Sequence, residues 1–373
     1  MKDKKILIIR KDHGIHGGIE NQIIVLSSFL KSSGYTVHFL SNNKHSKLSL
    51  RLSEIGVLTH ENKLNKILIS AFEIVKLCRK EKIMTVQCHM FRESIMIRVA
   101  KLFYPRLKTI FRVHTYIDAS NISNSKKKIY HILDFFSSPL INKFISINLY
   151  NINEMTGKSR INFKKIVHIC NPKEKIGEFS TPVLESPYTI AMIANFVDMK
   201  GHDIIIKALD ILKKQNILIN IIFLGSVDNS SDTNFKYYQN FLGLINLFDL
   251  NDQVTLLGYV DIYETIKHIP TIVLPSYAEG TPNSIIEAMS IGKIVICSNV
   301  GGIPEFIIDG YNGYIHKSGD YVELAEKIKS VFSLSPYQIA ELSENAYKTW
   351  KEKFNPEKIS VRYIEEINEL SGD

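Results

Sequence analysis

The chain has 373 residues, 45% hydrophobic and 23% charged, a composition that suits a soluble globular protein of two domains, or at most three. No apolar run reaches the ~18 residues that cross a bilayer, and the four scattered cysteines (Cys78, Cys88, Cys170, Cys297) form no CxxC pair, so they read as reduced core residues. The formal charge of +8 is uneven: residues 1–175 hold 31 Lys and Arg against 12 Asp and Glu, and the remainder holds 15 against 26. A compositional bias toward lysine would load both halves. The asymmetry therefore points to an anionic partner of the first half: nucleic acid, an anionic membrane surface or a phosphorylated acceptor.

The opening MKDKKILIIR has basic residues before an apolar run, but that run turns charged after five residues, too few for a secretory leader. It reads as a first buried strand, KKILIIR (4–10), in a chain expected to be cytoplasmic. A helix follows over 18–34, then a strand (35–41), a long amphipathic helix (62–80), a strand (84–89), a helix (92–103) and strands at 108–114, 143–148 and 165–171. Short apolar runs alternating with helices indicate a parallel, doubly wound sheet. The polar, proline-rich stretch 172–187 reads as an interdomain linker. The alternation then restarts: strand 188–194, helix 200–215, and strands at 217–225, 253–259, 271–276 and 293–298. Helices over 320–332, 336–352 and 356–370 close the chain.

The densest signal is PSYAEGTPNSIIEAMSIGKIVICSNVGGIPEFIIDGYNG (275–313). Glu279 lies in the loop after a predicted strand, and Glu287 lies eight positions on, inside a short helix that starts near Pro282. Gly280, Thr281, Pro282 and Asn283 make the start of that helix. A helix start presents unpaired N–H groups and the positive end of a dipole, a ready anion site. An anion cradle flanked by two carboxylates suits a ligand with both phosphates and hydroxyls, such as a nucleotide sugar. As plain structure, the same residues would be turn chemistry and a solvated helix glutamate.

This stretch, with its PS, EG, EAM and GGxPE elements in order, resembles the donor-binding signature of the family-4 retaining glycosyltransferases. The resemblance covers the second half specifically and the first half in architecture. It implies a GT-B fold, with two Rossmann-like domains facing each other across a cleft. Residues 1–175 would bind the acceptor and 176–355 the nucleotide sugar, with 356–373 a C-terminal helix that crosses back to the first domain. Ligands of open α/β sheets bind beyond the carboxyl ends of the strands.

The resemblance also assigns roles. Glu287 would accept hydrogen bonds from the two ribose hydroxyls, a geometry that suits an ionised carboxylate. Glu279 would face the transferred sugar or the acceptor hydroxyl, with no role as nucleophile assigned. Lys200, in MIANFVDMKGHD (192–203), would neutralise the leaving diphosphate. Most relatives carry an upstream arginine as a second cation, where this chain has Ala194 and Asn195. Gly258 and Tyr259 fall where the family holds the base, largely by backbone contacts. The loop DHGIHGGIEN (12–21) lacks the full GxGxxG spacing, which disfavours a nicotinamide cofactor. Its Gly17, Gly18 and Glu20 match the GGxE loop near the diphosphate and acceptor; a tight strand–helix turn is the plain alternative. His114 ends a predicted strand and would sit near the donor sugar, and His89, at the end of another strand, competes for a functional role on the acceptor side.

No DxD triplet occurs, which fits a metal-independent site with the nucleotide sugar as co-substrate and no further cofactor. The segment 125–144 opens with three consecutive lysines (126–128) and continues with aromatic and aliphatic residues; it fits either a helix on an anionic membrane surface or an ordinary amphipathic core helix. The expected function is transfer of a sugar from a nucleotide diphosphate donor, UDP foremost, to a lipid-linked or polysaccharide acceptor in surface-glycan assembly (O-antigen, capsule or lipopolysaccharide) at the inner face of the plasma membrane. A non-catalytic nucleotide-sugar-binding partner and a nucleotide-sugar epimerase remain as alternatives. Nucleic-acid binding is disfavoured for want of an aromatic-interleaved basic patch.

Overall fold

The computed structural model describes residues 4–11, 18–114, 116–117, 123–185, 188–228 and 231–371. The chain divides into two compact units, Met1–Pro172 with Pro356–Asp373, and Lys173–Asn355. The sequence-based boundary after residue 175 falls three residues beyond the observed crossing.

The first unit runs β1 (Lys4–Ile9), α1 (Gly18–Ser32), β2 (Tyr35–Ser41), α2 (Lys47–Glu54), β3 (Leu58–Glu61), α3 (Ile67–Glu81), β4 (Thr85–Cys88), α4 (Phe91–Phe103), β5 (Lys108–Val113), α5 (Asn124–Ser137), β6 (Lys143–Ser146), α6 (Leu149–Gly157) and β7 (Ile166–His168). Its seven strands pair in the order β3-β2-β1-β4-β5-β6-β7, all parallel. The central strands are buried on both faces, which is why the ILII of β1 reads as a continuous apolar run rather than an alternating one. One core cluster, around Phe111, Phe144 and Met96, includes α3 and α4 residues; the other, around Ile6, Phe39 and Ile110, includes α1 residues.

The second unit runs β8 (Tyr188–Ile193), α7 (His202–Lys214), β9 (Ile219–Leu224), α8 (Asp232–Leu247), β10 (Val254–Gly258), α9 (Ile262–Ile266), β11 (Thr271–Leu274), α10 (Asn283–Ser290), β12 (Ile294–Ser298), β13 (Tyr314–His316), α11 (Tyr321–Val331) and α12 (Pro336–Lys353). Its six strands pair in the order β10-β9-β8-β11-β12-β13, again all parallel. α12 opens with a full capping box, Ser335 and Gln338 satisfying each other's backbone N–H groups.

The last helix, α13 (Pro356–Ser371), belongs to the first unit. Its Ile359, Tyr363 and Ile367 complete the core cluster around Ile6 and Phe39. Asn368 accepts from Lys4 at 2.9 Å and from the Tyr35 hydroxyl at 2.6 Å. Lys143, nearly buried, pairs with Glu366 and, at 2.5 Å, with Glu369.

Three segments differ from the sequence expectation. The helix expected over 62–80 starts only at Ile67, because Leu64 takes a positive φ of 47° and Lys66 is extended; α2 and β3 precede it. The stretch 172–187 reads as a linker, yet its first residues pack on the second unit. Lys173 N–H donates to Phe354 O at 2.8 Å, Trp350 Nε1 donates to Lys173 O at 3.0 Å, and the Phe179 ring packs at a tilt on Tyr347, 4.8 Å between centroids.

The third is the lysine-rich segment 125–144, whose helix α5 ends at Ser137. Among the residues of α5 only Asp134 is buried, and it meets Arg98 at 2.5 Å and the Tyr116 hydroxyl. Ile129, Ile132, Leu133 and Phe136 point outward, with Phe136 74% exposed. The helix thus buries its acid and exposes its apolar side, the reverse of a core helix.

Candidate functional site

In a doubly wound sheet, the loops at the carboxyl ends of the strands gather where the strand order reverses. In the second unit that point lies between β8 and β11. The loop after β8 carries Asn195 and Lys200, and the loop after β11 carries Ser276 and Glu279. They meet directly: Lys200 Nζ lies 2.7 Å from Glu279 Oε1, and Ser276 Oγ donates to the same oxygen at 2.7 Å. The Glu279 side chain is only 7% exposed and Lys200 25%. A nearly buried carboxylate is thereby held by one cation and one hydroxyl, as burial of a charge requires.

Two glycines make this approach possible. Gly201, at φ +71°, lies so close to Pro275 that a Cβ would stand 2.2 Å from its carbonyl oxygen. Gly301, at φ +55°, would place a Cβ 1.7 Å from Glu279 O, and the next residue's N–H donates to Gly280 O at 2.8 Å. The KG and GGxPE elements are therefore the two walls against which the Glu279–Gly280 backbone is set.

α10 begins immediately after this loop. Its N-cap is Pro282, which offers no side-chain oxygen to the first N–H groups. The Thr281 hydroxyl beside them is buried and has no partner among the described residues. Glu287 follows Asn283 by four residues, about 6 Å along the axis. Its Oε1 lies 2.5 Å from Lys173 Nζ, and both side chains are largely buried, 12% and 19% exposed. Lys173, within the stretch read as a linker, is a site residue that sequence reasoning missed; nothing in its local pattern distinguishes it. Ser276 lies within the quoted motif, in its PS element, but was legible there only as part of a turn.

The remaining second-unit residues are placed as follows. Asn195, exposed, turns its Oδ1 to the Ser226 N–H and hydroxyl, both at 3.1 Å, and so staples the ends of β8 and β9. Gly258 ends β10 at φ +68°, its carbonyl accepting from Gly225 N–H at 2.8 Å. Tyr259 is 94% exposed.

In the first unit the order reverses between β1 and β4. Arg10 follows β1, His89 follows β4 and His114 follows β5. The two histidines, competitors in the sequence reading, form one pair: His89 Nδ1 lies 2.9 Å from His114 Nε2 with the rings stacked. His89 is 2% exposed, and its other nitrogen meets Gln87 Nε2 at 3.1 Å. Both its ring nitrogens are taken, so it has no polar atom left for an acceptor, contrary to the expected contact. His114 Nδ1 is buried without a partner among the described residues. Glu20, on α1, is turned to Arg10, whose Nη2 lies 3.0 Å away. Gly18 opens α1, and Gly17 lies outside the described residues. Gln87 and Arg112, polar side chains within strands that read as buried, were the signal for this cluster.

Burial pushes both histidines well below their ordinary value; His114 and the Arg112 and Arg10 guanidiniums push His89 further, and the same two arginines act on His114. Both rings are therefore neutral at pH 7. Burial also lowers His202, in the second unit, to about 4. The unfolded chain takes up protons below its ordinary histidine value of ~6.5, while the folded chain resists them. Stability held above pH 6.5 should thus fall as pH drops below it, by about 1.4 kcal/mol per pH unit for each such histidine. Melting curves at pH 7.5 and 5.5 should show a lower transition at 5.5, and His89→Gln should shrink the gap. An unchanged gap would remove His89 from this account.

Comparison with known proteins shows what this geometry resembles. Residues 175–349 match the family described as glycosyl transferases group 1, which spans most of the second unit. An uncharacterized glycosyltransferase of Methanocaldococcus jannaschii is 26% identical over 95% of each chain. The UDP-Gal:alpha-D-GlcNAc-diphosphoundecaprenol alpha-1,3-galactosyltransferase of Escherichia coli is 23% identical over 81% of this chain and 78% of its own. Among solved structures, Anabaena HepE in complex with UDP superposes with a TM-score of 0.83 at 16% identity, over 98% of this chain and 100% of that one. Through residues 175–349 the second unit is thus similar to the glycosyl transferases group 1, and the two parallel α/β units share the GT-B fold of the solved structures.

Proposed function

We propose that the protein is a retaining, metal-independent glycosyltransferase that moves a sugar from a UDP-sugar to a lipid-linked or polysaccharide acceptor in surface-glycan assembly. The observation that carries this reading is α10. An uncapped helix start beside an unpartnered Thr281 hydroxyl is fitted to a diphosphate, and Glu287 lies one turn along, the spacing from phosphate to ribose diol. Lys173 holds one oxygen of Glu287 and orients the side chain. Lys200 and Glu279 stand at the switch point, where the transferred sugar and its leaving diphosphate would lie. Gly280, Pro282 and Asn283 shape that cradle, and the backbone at Gly258 and Tyr259 would face the base. By the family resemblance, His114 would offer a polar contact to the sugar. Retention follows from the family resemblance.

UDP as donor nucleotide is supported by the UDP complex of Anabaena HepE and by the name of the Escherichia coli relative, which also names a diphosphoundecaprenol-linked acceptor. No helix among the described residues is long and apolar enough to cross a membrane. The outward face of α5, with Ile129, Ile132, Leu133 and Phe136 beside the exposed Lys126 and Lys128, fits an anionic bilayer surface, where a lipid-linked acceptor resides.

Calorimetric titration with UDP should show micromolar binding, weakened at least tenfold in Glu287→Ala as the ribose diol loses its acceptor. Unchanged affinity would remove Glu287 from the ribose. Binding of UDP without sugar transfer to any lipid-linked acceptor would instead favour a non-catalytic partner, the reading to which the arginine replaced by Asn195 lends weight. Transfer should survive EDTA, whereas loss restored by magnesium would overturn the metal-free chemistry.

Sedimentation with phosphatidylglycerol vesicles should pellet the protein at low salt, with phosphatidylcholine vesicles leaving it in solution. Phe136→Glu should abolish the binding and leave UDP affinity intact. Equal binding by the variant would exclude α5 as the docking face.

A further inference from the structure

The histidine pair belongs to a longer chain of hydrogen bonds that begins on α13. Tyr363 OH lies 2.6 Å from Gln87 Oε1, Gln87 Nε2 lies 3.1 Å from His89 Nε2, and His89 Nδ1 lies 2.9 Å from His114 Nε2. All four side chains are buried. The Tyr363 ring is itself fixed, with the Arg112 guanidinium 5.5 Å from its centroid. Arg112 in turn donates to the carbonyls of Ile169 and Cys170.

The direction of the chain follows from its distances. A separation of 2.6 Å is typical of O–H···O and short for an amide nitrogen, so the phenol donates to the Gln87 carbonyl. The Gln87 amide nitrogen is then the end that faces His89, and it can only donate. His89 Nε2 must accept, which leaves the proton of this neutral ring on Nδ1. That N–H is directed at His114 Nε2, which must accept in its turn. The proton of neutral His114 therefore sits on Nδ1, the atom that is buried and unpartnered among the described residues. In the reverse direction, the phenol hydrogen would be left without an acceptor inside the core, at a cost of about 1–3 kcal/mol.

We infer that Tyr363, Gln87 and His89 act as positioning residues that lock His114 as an Nδ1–H donor, fitted to a neutral oxygen of the sugar or acceptor rather than to a proton in flight. A ring so locked can donate a hydrogen bond but cannot serve as a general base through Nδ1. This rests on the role given to His114 above. It adds that α13, which follows the second unit in the chain, sets the proton position at the strand end of the first.

The test is long-range proton–nitrogen NMR of the full chain labelled with 15N-histidine, with His114 assigned from the spectrum of His114→Asn. His114 should be neutral and wholly in the Nδ1–H form at pH 7. In Gln87→Met the Nε2–H form should appear, and kcat for transfer should fall roughly tenfold with UDP affinity unchanged. Tyr363→Phe, a smaller change to the core, should act in the same direction. An Nε2–H or protonated His114 in the unaltered protein would overturn the inference. So would a Gln87→Met or Tyr363→Phe protein with His114 still wholly Nδ1–H. The role of His114 is tested separately: if His114→Ala transfers at the normal rate while the spectrum is as expected, the relay stands and the contact to substrate falls.

Discussion

Every strand in both sheets runs parallel to its neighbours, and the rest of the molecule depends on this. Parallel strands need crossover helices, so all loops that leave the carboxyl ends collect at one edge of each sheet. The charged and titratable residues that matter here, Arg10, His89 and His114 in one unit and Lys200 and Glu279 in the other, each follow a strand within a few residues. Their side chains meet because adjacent strands deliver them, and no long loop has to be ordered for it. The loops stay short by using glycine where backbones touch, at Gly201 and Gly301.

Much of this was legible in the sequence because the signals are local. Continuous apolar runs such as ILII and IVIC mark strands buried on both faces, and they fell within a residue or two of the observed elements. The eight-residue spacing of Glu279 and Glu287 was visible too. The structure adds that the two carboxylates have different partners, one held by Lys200 and Ser276, the other by Lys173.

What stayed hidden was long-range or inverted. Lys173 looks like any linker lysine, because its meaning comes from a helix more than a hundred residues away. Tyr363 sits in an ordinary amphipathic helix, and only its position under Gln87 gives it a role. α5 has the periodicity of a core helix, yet the buried pair of Arg98 and Asp134 turns its acid inward and its apolar residues out. A hydrophobic stripe tells which residues share a face and not which way that face looks. The helix expected over 62–80 failed for a related reason: its apolar spacing is sound, but a left-handed turn at Leu64 interrupts it.

The return of α13 to the first unit has a consequence for biogenesis. The second unit is a continuous segment, Lys173–Asn355, while the first is built from two pieces that flank it. During synthesis the second unit has all its residues before the first can close its core over Ile6 and Phe39. Until α13 emerges, that core lacks Tyr363 and Ile367, and the nascent first unit exposes an apolar groove. The order of assembly is thus imposed by connectivity: the unit that carries Lys200 and Glu279 can mature first, and the unit that carries the histidine pair is completed last.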